Sequence, residues 1–296
     1  MQSFQLQYSQ PLFRPPSEAG SVILQVTDGC SWNKCGFCEM YSSKKFKIKN
    51  IDIINSEIDL LAPYAEQVRK VFLADGNAMV LSYSKLMRIL DKLNYTFPKL
   101  NRVSAYALPS DIKSKTDKEL ETLSNAGLKL LYTGIETGDD DLLRIINKGE
   151  TMQSSIDSLV RARKAGIKLS VMILNGLGGR RFSNQHAINS AFVVNKIQPE
   201  YLSTLVLSFP FGIEHFKKRL NSEFIQMSTL ELIEEMGNFI SRLELDSTIF
   251  RSDHASNYLV LKGVLNRDKQ KLLTRISNVL NNKESNGLRP EWLRRL

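Results

Sequence analysis

The sequence predicts an α/β protein built as a partial (β/α)6 barrel with a mostly helical C-terminal extension. Short β-branched, apolar runs alternate six times with helical stretches between residues 21 and 209. The connections are short, and glycines mark several helix ends, as in parallel strands joined by right-handed crossovers. Past residue 215 the alternation stops and helical patterning dominates. Six units fall short of the eight in a closed TIM barrel, so the expected form is TIM-like but partial. The expected organisation is an extended arm over residues 1–20, a barrel core over 21–215 and a helical extension over 216–296.

Each element has a local reason. Pro11, Pro15 and Pro16 keep the first 20 residues extended. SVILQVT at 21–27 is a buried strand by its β-branched run. IDIINSEIDLLAPYAEQVRK reads as a helix starting near Asn50 or Asp52, with Leu60 and Leu61 on the side of Ile53, Ile54 and Ile58. VFLA at 71–74 is the second strand and YSKLMRILDKLNY the next helix. NRVSAYA at 101–107 is the third strand, and KTDKELETLSNAG is a helix closed by Gly127. LKLLYTGIE at 128–136 is the fourth strand, and DDDLLRIINKG follows with acids at its positive helix end. SIDSLVRARKAG, IKLSVMILN at 167–175, SNQHAINSAFVVNKI and YLSTLVLSF at 201–209 complete the alternation. STLELIEEMGNFISRLE and DKQKLLTRISNVLNN are the helices of the extension, and TIFRSDHASNYLVLKG between them is polar and mixed.

Composition sets bounds. Of 296 residues, 42% are hydrophobic and 24% charged, an ordinary globular balance. No run approaches the length of a membrane span, and the N-terminus lacks a signal-peptide pattern. The expectation is a cytoplasmic, reducing compartment. The formal charge of +9 permits a nucleic-acid or anionic partner or an acidic protein, but a lysine-rich surface gives the same number. The densest basic run, KKFKIK at 44–49, is either a functional rim or a solvated strand.

In parallel α/β folds chemistry gathers where strands end. CSWNKCGFC leaves the first strand, DGN at 75–77 the second, Glu136 ends the fourth, and GLGG leaves the fifth. All three cysteines of the chain, Cys30, Cys35 and Cys38, lie on the first of these loops. Three readings stand open: ordinary buried thiols, a zinc site completed by His186, His215 or His254, or an iron–sulfur cluster on three thiolates with one iron left open.

The stretch resembles the cluster loop of the radical S-adenosylmethionine (SAM) superfamily. That family holds a [4Fe-4S] cluster on three cysteines, with SAM chelating the open iron. The family's usual gaps are three residues, then two; here they are four, then two. Phe37 matches the family's aromatic next to the adenine. Asp75, Gly76 and Asn77 sit where the family has a Gly-Gly-Glu-like stretch that meets the methionine amino group. Asp75 and Asn77 depart from that motif, while Gly76 keeps its close-approach character. YTGIETGDDDLLRIINKG resembles the strand-four segment of the porphyrin- and cobalamin-associated branches, which implies Glu136 by the SAM ribose or amino end. Ser104 and Tyr106 face the same mouth, and Arg144 and Lys148 are candidates to meet a carboxylate. MILNGLGG resembles the adenine segment after strand five, which implies Asn175, Gly176 and Gly178 there, with Arg180 and Ser183 on the same rim. His186 reads as a capping or packing residue.

The resemblance extends over about residues 12–212. It implies an enzyme that reductively cleaves SAM at the cluster to a 5′-deoxyadenosyl radical, which takes hydrogen from a substrate of small-molecule type. It also implies a flavodoxin- or ferredoxin-type electron donor. An RNA-modifying enzyme and a non-catalytic iron–sulfur or haem-handling protein are the alternatives. With every cysteine committed to one cluster, a second cysteine-held cluster is excluded within these residues. FRSDHASNYLVLKG at 250–263 reads as a cover for the barrel mouth, with His254 and Tyr258 as candidate catalytic groups.

Overall fold

The computed structural model describes residues 6, 8–209, 212–219, 224–282 and 287–294, except the side chains of His215, Arg219 and Asn282. The zinc reading's His215 and parts of the expected N-terminal arm therefore lie outside the described residues. Two compact units emerge, residues 1–33, 40–133 and 161–168 in the first, and 34–39, 134–160 and 169–296 in the second.

The first unit holds β1 (Val22–Gln25), the short ladder β2 (Thr27–Asp28) and β3 (Lys47–Ile48), α1 (Ile51–Leu60), β4 (Lys70–Ala74), α2 (Tyr83–Thr96), β5 (Arg102–Tyr106), α3 (Pro109–Lys113) and α4 (Asp117–Asn125). It ends in β6 (Leu128–Glu136), whose last three residues belong to the second unit. β1 pairs in parallel with β4, β4 with β5, and β5 with β6. Val71, Phe72, Leu73, Val103, Ala105 and Leu131 are fully buried along these strands. Ile54, Ile58, Leu86, Ile89, Leu90, Leu120 and Leu123 are among the buried residues that the helices contribute. Each such aliphatic side chain stabilises the unit by about 1.5–3 kcal/mol relative to exposure.

Helix α1 is shorter than its sequence predicts. It starts at the Asn50 cap as expected, but ends at Leu60. Pro63 lacks a donor and biases Ala62 away from helical geometry, so the chain passes into a single tighter turn at Ala62–Tyr64. Ile53 and Leu60, expected on the buried side, are 51% and 40% exposed. The basic run at 44–49 also reads differently in three dimensions. Lys44 is buried in an ion pair, Lys49 pairs with Glu57, and of its lysines only Lys45 and Lys47 are exposed.

The second unit holds α5 (Asp140–Ile145), most of α6 (Met152–Lys164), β7 (Lys168–Asn175), α7 (Gly179–Ile197), β8 (Tyr201–Val206), α8 (Ile213–Arg219), α9 (Thr229–Ser241), β9 (Thr248–Ser252), β10 (Leu261–Leu265) and α10 (Lys269–Asn282). β7 pairs in parallel with β8 and β8 with β9, while β10 runs antiparallel to β9. Strand order follows chain order, β1-β4-β5-β6-β7-β8-β9-β10, in a mostly parallel sheet.

Beside its helices α9 and α10, the extension carries two strands, β9 and β10. TIFRS at 248–252 alternates buried and exposed residues, Thr248, Phe250 and Ser252 in, Ile249 and Arg251 out. That period of two makes a strand, and its polar members hid it in the sequence. Among the described residues no helix is long and apolar enough to cross a membrane.

Candidate functional site

In the first unit the DGN loop grips the start of the cysteine loop. Val26 N–H donates to Ala74 O at 2.5 Å, and Asp75 follows at the end of β4. The Asp75 carboxylate is fully buried and accepts from Lys44 Nζ at 2.8 Å, Gln25 Nε2 at 3.3 Å, and the backbone N–H of Gly29 at 3.3 Å and of Gly76 at 2.9 Å. Lys44 reaches Asp28 as well, at 2.9 Å. Removing one partner of so buried a pair costs about 3–5 kcal/mol. Tyr41 accepts from Gly76 N–H at 3.1 Å, and burial with the neighbouring Asp75 raises its pKa, so the phenol stays neutral. Asn77 accepts from Ser31 N–H at 2.9 Å and donates to Ser31 Oγ and Asp111 Oδ2, both at 2.8 Å. Residues 29 and 31 are therefore tied to this loop on either side of Cys30. In this fold the Asp75 carboxylate meets the Lys44 ammonium.

Gly76 explains why the grip is close. A Cβ there would stand 2.2 Å from Gly29 O and 2.5 Å from Cys30 Cα. Ser104 is buried, its hydroxyl 3.5 Å from Val71 O. The Tyr106 ring meets Phe72 and Tyr132 edge-on at 5.2 and 6.0 Å, and burial raises its pKa.

In the second unit Cys35 and Cys38 are strapped to the turn after α5. Gly36 N–H donates to Ile146 O at 2.6 Å, and the Asn147 amide donates to Lys34 O at 3.3 Å. Phe37 packs on the cluster of Leu142, Ile146, Leu174 and Leu177. Lys148 Nζ lies 5.7 Å from the Phe37 ring centroid and 3.0 Å from Glu136 Oε1. Burial draws the Lys148 pKa down, but Glu136, Cys35 and Cys38 raise it further, so the ammonium is kept. Glu136 ends β6 at φ +69°, and a Cβ on Gly134 would sit 2.0 Å from its Oε1. Gly134 is the space into which that side chain folds back.

The loop after β7 is covered by protein. Asn175 donates to Leu232 O at 3.0 Å, and Gly176 N–H donates to Glu235 Oε1 at 2.6 Å. A Cβ on Gly176 would meet Leu232 at 2.6 Å, and one on Gly179 would meet Ile225 O at 2.5 Å. A Cβ on Gly178 would meet Phe182 at 2.5 Å and Leu142 at 3.2 Å. Arg180 pairs with Glu231 at 2.6 Å. Gly176 and Gly179 thus lie against α9 and the segment before it. His186 is buried, 2.8 Å from Thr137 Oγ1 and 3.9 Å from Glu235, with burial lowering its pKa, in keeping with the packing role expected of it.

The segment at 250–263, expected to cover the mouth, is tied to the C-terminal segment. Arg289 Nη1 donates to the carbonyls of His254, Ala255 and Asn257 at 2.6, 3.0 and 3.1 Å. Arg294 donates to Ser256 O at 2.9 Å and stacks 3.7 Å from the Tyr258 ring. The Tyr258 hydroxyl donates to Glu291 at 3.0 Å, and His254 Nδ1 caps Ser256 N–H at 3.2 Å, burial lowering the histidine's pKa.

Sequence reasoning missed Lys44, Gln25 and Tyr41, whose partner Asp75 lies 31 residues or more away and carries no local signal. It also missed Glu231 and Glu235, buried or paired from a helix beyond the barrel core. The three cysteines are thiols, none in a disulfide and each partly accessible. Cys30 belongs to the first unit, Cys35 and Cys38 to the second. Among the described residues no three His, Cys, Asp or Glu side chains are gathered as metal ligands. In chemistry, three partly accessible thiols on one loop, none in a disulfide, fit an iron–sulfur cluster.

Comparison with known proteins agrees. A family model described as the radical SAM superfamily matches residues 24–184, more than half of the chain. The heme chaperone HemW of Bacillus subtilis (strain 168) is 27% identical over 126 residues, covering 42% of this chain and 33% of the relative. The putative methylthiotransferase MJ0865 of Methanocaldococcus jannaschii is 21% identical over 159 residues, covering 51% of this chain and 34% of the relative. The chain spans about a third of the length of these curated relatives. Among solved structures, the coproporphyrinogen III oxidase HemN of Escherichia coli, a radical SAM enzyme, aligns with TM-score 0.59 at 16% identity, covering 75% of this chain and 52% of that one. Methylornithine synthase PylB aligns with TM-score 0.51 at 14% identity, covering 87% and 80%. At such identities these two show the fold alone. The chain belongs to the radical SAM superfamily, whose members bind a [4Fe-4S] cluster and S-adenosylmethionine.

Proposed function

We propose that Cys30, Cys35 and Cys38 hold the [4Fe-4S] cluster and leave one iron to SAM. When bound, this pair supplies one-electron cleavage of the sulfonium to a 5′-deoxyadenosyl radical, which takes hydrogen from a small-molecule substrate. The observation that carries the reading is the position of all three cysteines on one loop inside the matched family segment.

The chain's own residues position and shield rather than supply acid–base chemistry. Asp75, Asn77 and Gly76 fix the Cys30 end of the loop, and Ile146 and Asn147 fix the Cys35–Cys38 end. Glu136 offers a carboxylate for hydroxyls or an ammonium, held in place by Lys148. Phe37 offers an aromatic face next to the last cysteine. The electron comes from a flavodoxin- or ferredoxin-type donor. RNA as substrate is disfavoured by the loss of Lys44 and Lys49 to internal pairs.

Anaerobic reconstitution with iron and sulfide tests the ligand set. Wild type is expected to load a full cluster by iron and acid-labile sulfide content, and Cys30→Ala, Cys35→Ala and Cys38→Ala are each expected to lose most of it. A variant that loads as fully as wild type removes its cysteine from the set. The match to a heme chaperone favours haem handling as a second reading. Haem titration of the loaded protein separates the two when set beside SAM cleavage.

A further inference from the structure

We propose that the buried Glu136–Lys148 pair sets the reduction potential of the cluster, its two members acting with opposite sign. This rests on the reading that Cys35 and Cys38 are cluster ligands. The pair lies where a charge is felt. Lys148 and Glu136 side chains are 5% and 12% exposed, and Nζ stands 3.0 Å from Oε1. The ring of Phe37, which directly precedes Cys38, is centred 5.7 Å from the same Nζ. Two backbone links hold the arrangement, Gly36 N–H to Ile146 O at 2.6 Å and Asn147 to Lys34 O at 3.3 Å. The ammonium therefore cannot drift from the thiols as a surface lysine would.

Cluster potentials respond to net charge, hydrogen bonding and solvent exposure. Reduction adds one electron, and so one negative charge, to the cluster. A fixed cation nearby favours the reduced form and a fixed anion opposes it, more strongly where water is excluded. Lys148 pulls the potential up and Glu136 pulls it down. The raised pKa of Lys148, to which Cys35 and Cys38 contribute, agrees with electrostatic contact between the lysine and those thiols. The lysine stays charged throughout; its charge, not its titration, does the tuning. Any group that drew Glu136 away from Lys148 would leave the cation less compensated and make the cluster easier to reduce.

The test is a mediator-poised redox titration of the one-electron couple, followed spectroscopically on reconstituted full-length protein without SAM. Lys148→Gln is expected to move the midpoint to more negative values and Glu136→Gln to more positive ones. Lys148→Arg is expected to stay near wild type, and the double variant between the two singles. Iron content and thermal melting of each variant accompany the titration. Midpoints that all coincide with wild type, or that move in the same direction for both single variants, overturn the inference while leaving the ligand assignment intact. Failure of the ligand assignment shows differently, as full loading of Cys35→Ala and Cys38→Ala. A misfolded Lys148→Gln leaves Lys148→Arg and Glu136→Gln to decide: a wild-type midpoint in Glu136→Gln overturns the proposal, and a positive shift there supports it.

Discussion

Gly76 shows how much of the site depends on one missing side chain. Its φ is +25°, and a Cβ would press into the backbone of Gly29 and Cys30 at 2.2 and 2.5 Å. Backbone cannot yield as the end of a side chain can. Gly76→Ala is expected to cost about 2–5 kcal/mol, the sum of left-handed strain and overpacking. Gly20→Ala, where nothing lies within 4 Å, is the control and stays within about 0.5 kcal/mol. Denaturant unfolding of both variants checks the difference. Equal midpoints for the two would mean that the loops are not in close contact. The cysteines, Gly76 and Glu136 were all legible in the sequence, because each is a residue type placed at or just past the end of a strand. The partners of Asp75 were not. Lys44 looked like one charge in a basic run, and only folding brings it to a carboxylate 31 positions away.

At the scale of elements, α9 ties the extension to the loop after β7. Its N-cap Ser228 and Glu231 form a reciprocal capping box, and Glu231 also takes the Arg180 guanidinium. The Ser228 backbone N–H, then Arg180 and the Ser228 hydroxyl, hold the Glu231 pKa down, from 4.5 to about 2. A carboxylate with a depressed folded pKa adds stability that is fully present above its unfolded value and is lost as pH falls through the folded one. The melting-temperature gap between wild type and Glu231→Gln is therefore expected at neutral pH and is expected to close as pH falls from 4.5 towards 2. A gap that persists unchanged at the acid end would show that the charge is not responsible. The six barrel strands were readable from their apolar runs. β9 and β10 were not, because Arg251 and Lys262 occupy outward positions and dilute the apolar signal. The shortfall of α1 had a visible cause in Pro63, but the run of helix-formers on both sides masked it.

At the scale of the whole molecule, the alternation of strands and helices fixed the fold class, and the family segment at 24–184 assigns the superfamily. The substrate was not legible, because the residues read as a mouth cover are held by Arg289 and Arg294 from the end of the chain. The tail's role in ordering that segment had no signature in its composition. The account's central claim is that the loop of Cys30, Cys35 and Cys38 begins radical chemistry on SAM. The most direct measurement is chromatographic: reconstituted protein is reduced anaerobically with dithionite, given SAM, and assayed for 5′-deoxyadenosine. The account predicts reductant-dependent 5′-deoxyadenosine from wild type and none from Cys35→Ala. Intact SAM over a fully loaded, reduced wild-type cluster, or undiminished product from Cys35→Ala, would contradict it.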